Sequence, residues 1–396
     1  MSAAQRVETG PRQEANATGL FDVYRPGTGF VMVQAGHGVA ADGESLSIDV
    51  EPGPNQVQRA ATTAQTALGD TAHAAVALGV LPFEGTRTAR LLVPERVQRR
   101  QHAVPRPAPP APARRVARIR ADPRPGTYTS LVAEALRRID AGGLDKVVLS
   151  RTLLVESDAR LEPPVLARRL RAVDPECFVF TVSLPDGAGD LIGASPELLL
   201  RRRGAAVFSD PLAGTAQRVA DRSEDAAIAR ALLETVKERR EHRLTAEAVA
   251  DALAPFCAEL EVDEQPSLTA TATLWHLRTA IRGVLLPGAP DALALAAALH
   301  PTPAVCGTPT AAALDVIHEL EEFDRGFYAG LVGWVDERGD GEWAVTLRCA
   351  QVRGRTALLY AGAGIVAGSD PDAEDLETDA KFGAVLRALG VDPAAV

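Results

Sequence analysis

The chain has 396 residues, with 42 basic and 52 acidic side chains and a formal charge of −10. A hydrophobic fraction of 46% and a charged fraction of 24% fit a folded soluble protein that needs neither disulfides nor a metal merely to fold. The acidic balance argues against nucleic-acid or anionic-membrane binding, and no run of about 18 apolar residues is present to span a bilayer.

The N-terminal stretch is polar and lacks the apolar segment of a signal peptide. Residues 1–100 read as irregular strands and loops with one or two helices. Pro105 to Arg115 is Pro-rich and reads as an extended surface loop within one fold, because the preceding part has few strong apolar runs for a core of its own. From residue 126 the pattern sharpens. Thr127–Asp140 is an amphipathic helix stopped by Gly142-Gly143, and Lys146–Val155 is an apolar, β-branched strand. Pro163–Val173 is a short helix. Cys177–Leu184, Asp190–Ala194, Glu197–Arg202 and Ala206–Ser209 are strands. Asp221 to about Ala254 reads as one long helical stretch, Leu274–Val284 as mostly extended, and Ala292–Leu299 and Thr310–Glu321 as helices. Gly330–Asp336, Trp343–Arg353 and Thr356–Ala361 are strands, and Asp370–Leu389 closes the chain as a helix. Consecutive strands on short turns, with helices between strand groups, make the fold α+β and not doubly wound.

Several constellations could carry chemistry. Glu374, Glu377 and Lys381 share one face of the closing helix at i, i+3 and i+7. The small residues Ala361-Gly362-Ala363-Gly364 lead towards that helix, where backbone N–H groups could approach an anion. An anion beside two carboxylates calls for a cation, and Mg²⁺ suits oxygen ligands. Glu238-Arg239-Arg240-Glu241-His242 could supply a carboxylate from a second helix, or be only a charged face. Glu197 follows Pro196 at a strand break and could be an acid if desolvated. His300-Pro301-Thr302-Pro303-Ala304 is a rigid segment of the kind that lines pockets. The chain has three lysines, Lys146, Lys237 and Lys381, against 39 arginines, which raises the question of what Arg could not do in their places. Arg cannot serve as a base near neutral pH, and Lys146 at the head of an apolar strand could. The four cysteines, Cys177, Cys257, Cys306 and Cys349, form no CxxC and read as buried thiols of a cytoplasmic protein. Asn16-Ala17-Thr18 fits a glycosylation pattern without consequence in that compartment.

The segments LDKVVLSR (144–151), LIGASPELLLR (191–201), PLAGTAQR (211–218), EH (241–242), TATLWHL (271–277), HPTPAVCG (300–307), ELEEFDRGFYAGLVGW (319–334), GEWAVTLRCAQ (341–351) and LYAGAGIVAGSDPDAEDLETDAK (359–381) stand in colinear order. Together they resemble the chorismate-utilising enzymes, and most closely the siderophore-type isochorismate synthases. The resemblance implies two large packed antiparallel sheets with helices outside. Residues 1–120 would be a variable N-terminal part of the same fold, and 121–396 the chorismate-binding catalytic region. It implies Mg²⁺-dependent conversion of chorismate to isochorismate, by water attack at C2 and loss of the C4 hydroxyl. Lys146 would be the general base and Glu197 the general acid. Glu241, Glu374 and Glu377 would bind Mg²⁺, with Glu374 acting through water. Gly214, Thr215, His300, Ala304, Arg348, Tyr360, Gly362, Ala363, Gly364 and Lys381 would line or hold the substrate.

Lys146 separates the chain from anthranilate synthases, which resemble this pattern but carry Gln there. Ala213 separates it from aminodeoxychorismate synthases, which carry Lys. Salicylate synthases, which go on to eliminate pyruvate, remain the alternative; Ala304, where they usually have Thr, favours stopping at isochorismate. A non-catalytic protein on the same fold would be expected to lack one of Lys146, Glu197, Glu241 or Glu377. The chain is expected to be a monomer with a small-molecule substrate and no nucleic-acid or membrane partner.

Overall fold

The computed structural model describes residues 19–69, 76–100, 116–122, 124 and 126–393. The Pro-rich segment 105–115 and Asn16-Ala17-Thr18 lie outside the described residues. Among the described residues, 17 strands are hydrogen-bonded into one antiparallel network. One half of it runs Val116–Asp122, Lys146–Ser157, Thr356–Val366, Cys349–Arg353, Asp190–Ser195, Phe178–Ser183, Phe30–Gln34. The other runs His37–Val50, Ala89–Arg100, Val76–Leu81, Leu331–Asp336, Gly341–Val345, Leu198–Arg203, Ala206–Asp210, Ile281–Leu285, Cys257–Val262.

The expected two sheets are therefore joined. The hairpin Phe30–Gln34/His37–Val50 pairs its strands only from Val31↔Ala40 to Gln34↔His37, and the longer strand then continues into the second half. The N-terminal part thus supplies long, paired strands where irregular ones were expected. Fully buried Glu342 ties the hairpin to the second half, pairing with His37 at 2.6 Å and with Arg201.

Strand alternation sorts the side chains into two cores. Phe178, Phe180 and Tyr360 from the first half meet Leu78, Leu331 and Trp343 from the second. Val179, Ile192 and Leu359 face the other way, onto the helices Pro163–Val173 and Pro371–Leu389 through Leu166, Leu170, Phe382 and Val385. A separate three-stranded sheet, Leu212–Gln217, Leu274–Arg278, Ser267–Ala270, sits beside this frame. Its first and last strands were not read from the sequence, nor was Cys257–Val262. No helix of the described residues is long and apolar enough to cross a membrane. All four cysteines are free; Cys257 is only half-buried.

Three segments depart from the sequence reading. The long helix over 221–254 is two helices, Arg222–Glu234 and Val236–Leu253, with Thr235 extended between them (φ −66°, ψ 118°). The Thr235 hydroxyl donates back to the Ala231 carbonyl at 2.8 Å, a local bond that competes with helix continuation. Trp343–Arg353 breaks into Gly341–Val345 and Cys349–Arg353, and Arg348 in the gap has φ 47°. Leu274–Val284 likewise breaks into Leu274–Arg278 and Ile281–Leu285, which pair in different sheets.

The Lys146–Ser157 strand pairs along its full length with Thr356–Val366. On its other edge it pairs with Gly307–Thr308 at residues 146–147 and with Val116–Asp122 from residue 152 on. Between these, its backbone groups need other partners. The Val148 carbonyl accepts from Arg325 Nη2 at 2.7 Å, and the Ser150 N–H donates to Glu321 Oε1 at 2.7 Å. Arg325 Nη1 also donates to the Val305 carbonyl at 2.7 Å, so one buried ion pair joins this strand to the 300–307 segment. Removing one partner of a buried pair leaves the other uncompensated and costs about 3–5 kcal/mol. Arg325→Met should lower stability by that order in thermal or urea unfolding, and Arg325→Met/Glu321→Leu should recover part of it. A single variant as stable as wild type would mean that the pair does not hold the strand.

Candidate active site

Each functional side chain has a local reason for its position. The strand bearing Lys146 is buried nearly throughout, and its sequence is correspondingly an apolar run. Lys146 itself is completely buried; its Nζ lies 3.1 Å from Glu241 and 3.3 Å from the Thr245 hydroxyl. Pro196 ends the Asp190–Ser195 strand, and Glu197 sits in the joint before Leu198–Arg203. The helix Val236–Leu253 carries Lys237, Glu238, Glu241 and Thr245 within two turns. The helix Pro371–Leu389 starts at Asp370, whose side chain caps the Ala373 N–H, and brings Glu374, Glu377 and Lys381 along one face.

A narrow cavity of about 50 Å³ opens among these elements. Glu197, Gly214, Thr215, Glu241, Ala304, Arg348, Gly362, Gly364 and Lys381 line it. Lys146 lies directly behind the wall, its Cε 3.0 Å from where a side chain on Gly364 would begin. Glu374 and Glu377 are outside the lining and pair with Lys237 and Lys381. Three further sequence-predicted positions are not in the wall. His300 bonds the Phe83 carbonyl at 2.9 Å and meets the Phe83 ring edge-on. Tyr360 lies behind Tyr328, stacked at 5.2 Å. Ala363 is buried in the main core.

The wall also holds residues that sequence reasoning missed. His276 and Tyr328 line the cavity, and a lone His or Tyr in an apolar strand or turn carries no signal of that. His276 accepts from Arg348 Nη2 at 3.4 Å, which leaves its Nδ1–H for the Thr215 hydroxyl at 3.3 Å. Burial, with Arg348 and Lys381 nearby, holds this imidazole well below its usual range, so it is neutral. Lys237 was visible only as one of three lysines; it joins Glu374 at 2.8 Å and Glu238 at 3.0 Å.

The glycine segment 361–366 is not a loop before a helix. It is the end of the Thr356–Val366 strand, in register with Lys146–Ser157 to its last residue. The Gly362 carbonyl accepts from Lys381 Nζ at 2.7 Å and so faces away from the paired strand. By strand alternation the N–H groups of Gly362 and Gly364 face the same open edge. The missing side chains matter as much. A Cβ on Gly364 would lie 2.0 Å from Glu241 Oε1, and one on Gly362 would lie 2.6 Å from the Ser150 hydroxyl. Gly214 has φ 78° at a bulge that turns the Thr215 N–H onto Glu238 Oε2 at 3.0 Å.

Four carboxylates crowd the far side of this cavity. Burial, then the Glu377 charge, pushes Glu374 up to about 7, against the pull of Lys237. Burial and Glu241 raise Glu238. Burial would raise Glu241 too, but Lys146, Lys237 and Lys381 together hold it below its usual range. Glu197 differs: burial pushes it up to about 8, despite Lys146 and a hydrogen bond from the Leu212 backbone. It is therefore mostly protonated at neutral pH.

Among the described residues, no three His, Cys, Asp or Glu side chains converge closely enough to hold a metal ion. Glu241, Glu374 and Glu377, read from the sequence as a ligand set, are each drawn to a lysine instead. The donor chemistry nonetheless fits a hard divalent cation. The donors are all carboxylate oxygens, and Glu374 Oε2 is buried with no hydrogen-bond partner.

A model of the chorismate binding enzyme family matches residues 73–390. The isochorismate synthase DhbC of Bacillus subtilis is 42% identical over 96% of this chain and 98% of its own length. The isochorismate synthase EntC of Escherichia coli K12 is 42% identical over 80% of this chain and 81% of its own. The crystal structure of DhbC from Bacillus anthracis superposes with a TM-score of 0.88 at 37% identity, covering 94% of this chain and 99% of that one.

The close approach at Gly364 gives a direct test of the geometry. Gly364→Ala must push Glu241 aside, and displacement of a positioned group by about 1 Å can cost about 100-fold in rate. Activity should fall by that order, with the folded state retained by circular dichroism. Unchanged activity would mean that Glu241 does not need its present position.

Proposed function

The chain belongs to the chorismate-binding enzymes and is an isochorismate synthase, and we propose how its residues divide the work. The kinship that carries the activity is 42% identity along 96% of the chain to an isochorismate synthase. The division of labour rests on one geometric observation: a completely buried lysine stands behind the wall of a cavity that a buried glutamate lines.

Lys146 is the general base. In its neutral amine form its Nζ, held beside Glu241 and Thr245, takes a proton from the water that attacks C2 of the chorismate ring. The ring double bond shifts, and the C4–O bond breaks. Glu197 donates its proton to the departing hydroxyl, which leaves as water. One water enters and one leaves, so substrate and product are isomers. The proton gained by Lys146 replaces the one lost by Glu197, and its return restores both groups.

Arg348, oriented by neutral His276, offers a two-pronged fork to a substrate carboxylate. The outward N–H groups of Gly362 and Gly364 and the Thr215 hydroxyl serve the remaining substrate oxygens. Glu241, Glu374 and Glu377, with Glu238 beside them, would hold Mg²⁺. When bound, that ion offsets the carboxylates' charge and gives a substrate carboxylate a positive partner. Ala304 lines the ring site without a hydroxyl, in keeping with a reaction that stops at isochorismate. Every assigned residue comes from one chain, so a monomer suffices. The described strands before residue 120 pair into the same sheet network, and we read them as part of the same fold. The free thiols suit a cytoplasmic enzyme.

The decisive assay incubates purified protein with chorismate and Mg²⁺, separates products by chromatography and follows pyruvate. Isochorismate without pyruvate is expected; salicylate with stoichiometric pyruvate would establish the lyase reading instead. Lys146→Arg keeps the charge but not the base and should abolish turnover, whereas near-normal turnover would remove Lys146 from that role.

Glu197 must be protonated to act, so its contribution is complete below its raised pKa and is lost as pH climbs through it. Turnover should decline on the alkaline side with a midpoint near 8, the value to which burial pushes Glu197. Glu197→Gln should retain the fold and lose at least about 100-fold in kcat, the lower range for general acid catalysis. An unchanged alkaline limb in the residual activity of that variant would assign the limb to another group.

A further inference from the structure

All three lysines of the chain meet a site carboxylate, but they are not held alike. Lys146 is completely buried and has Thr245 as a second partner. Lys381 meets Glu377 and is also fixed by the Gly362 carbonyl at 2.7 Å. Lys237 meets carboxylates alone, Glu374 at 2.8 Å and Glu238 at 3.0 Å. Its side chain is 19% exposed, while that of Glu374 is 2% exposed. Val236, one residue before it, is 82% exposed, so water lies within reach of the ammonium. The second oxygen of Glu374 has no hydrogen-bond partner.

A carboxylate this deep must be neutralised or paired, since an isolated buried charge is costly. Lys237 supplies the pairing from the solvent side, and through only one of the two oxygens. We propose that Lys237 is an exchangeable counter-ion: its ammonium occupies Glu374 until a divalent cation binds there, and then yields that carboxylate and turns to Glu238 and solvent. Cation binding is thus an exchange at Glu374 and not an addition to free carboxylates. This inference rests on the metal reading given above. It also accounts for a lysine at this place in an arginine-rich chain. A guanidinium would clasp both oxygens of Glu374 with its planar fork, whereas an ammonium is a compact point charge that releases as one contact.

The test uses the full-length protein and Mg²⁺ alone. Calorimetry gives the affinity of wild type, Lys237→Met and Lys237→Arg. Because the chain has three lysines, ¹³C-lysine labelling gives three side-chain signals, and the one missing from Lys237→Met is Lys237. In wild type, the Lys237 signal should shift over the same Mg²⁺ range as the calorimetric binding. Lys237→Met should bind Mg²⁺ about 5–150-fold more tightly, the usual span of coupling between two ligands. Lys237→Arg should bind no more tightly than wild type. If Lys237→Met does not fold, the wild-type titration decides alone, with that signal assigned through Lys237→Arg. A Lys237 signal that stays fixed while Mg²⁺ binds, or unchanged or weaker binding by Lys237→Met, would overturn the exchange and leave the metal reading intact. Failure of wild type to bind Mg²⁺ would overturn both.

Discussion

Four carboxyl groups and three lysines share one largely buried volume, and their mutual attraction and repulsion govern this site. Glu238 and Glu241 come from one helix, and Glu374 and Glu377 from another. Left alone, four negative charges at such range in a weakly screening interior would force the helices apart or force protons on. The raised pKa values of Glu238 and Glu374 register that pressure. The lysines relieve it, and each helix contributes to both sides of the charge balance. The cation proposed above would add to a charge balance that the fold already holds without it.

The surrounding frame exists to hold these charges at fixed range. The Lys146–Ser157 strand is clamped on every side. Its backbone pairs with the glycine strand on one edge, and with two short ladders and the Glu321–Arg325 pair on the other. Five residues beyond Lys146, Arg151 bonds the Thr378 hydroxyl at 2.7 Å and Asp379 at 2.5 Å, so the same strand anchors the helix that carries Glu374 and Glu377. Arg325 reaches from this strand to Val305, next to Ala304, which couples the Lys146 strand to the cavity wall. Precision comes from backbone hydrogen bonds here, and the reactive side chains inherit it.

Two glutamates of the site are separated by environment alone. Glu197 sits among apolar neighbours in a strand joint and keeps its proton. Glu241 has three lysines near it, which together hold it below its usual range. Histidine is treated in the same way: buried against Arg348, His276 stays neutral and can accept the hydrogen bond that aims the guanidinium. The residue types matter less than what each is buried against.

Much of this was legible in the amino-acid order. Apolar runs located the central strands, and the last helix was read over Asp370–Leu389, because local chemistry determines elements and their ends. The helical period put Glu374, Glu377 and Lys381 on one face, and the rarity of lysine singled out the three ammonium positions. Long-range consequences were not legible. Nothing local to Thr235 shows how sharply the helix breaks there, and nothing local to Gly364 shows a glutamate from another helix 2.0 Å from its missing side chain. His276 and Tyr328 carried no signal, and His300 carried a misleading one, because facing a cavity depends on strands distant in sequence. The sequence by itself determined which chemical groups are available and the elements that carry them. Only the tertiary structure decided which of them meet, which stay charged and which oxygen is left without a partner, since those depend on burial and distance across the fold.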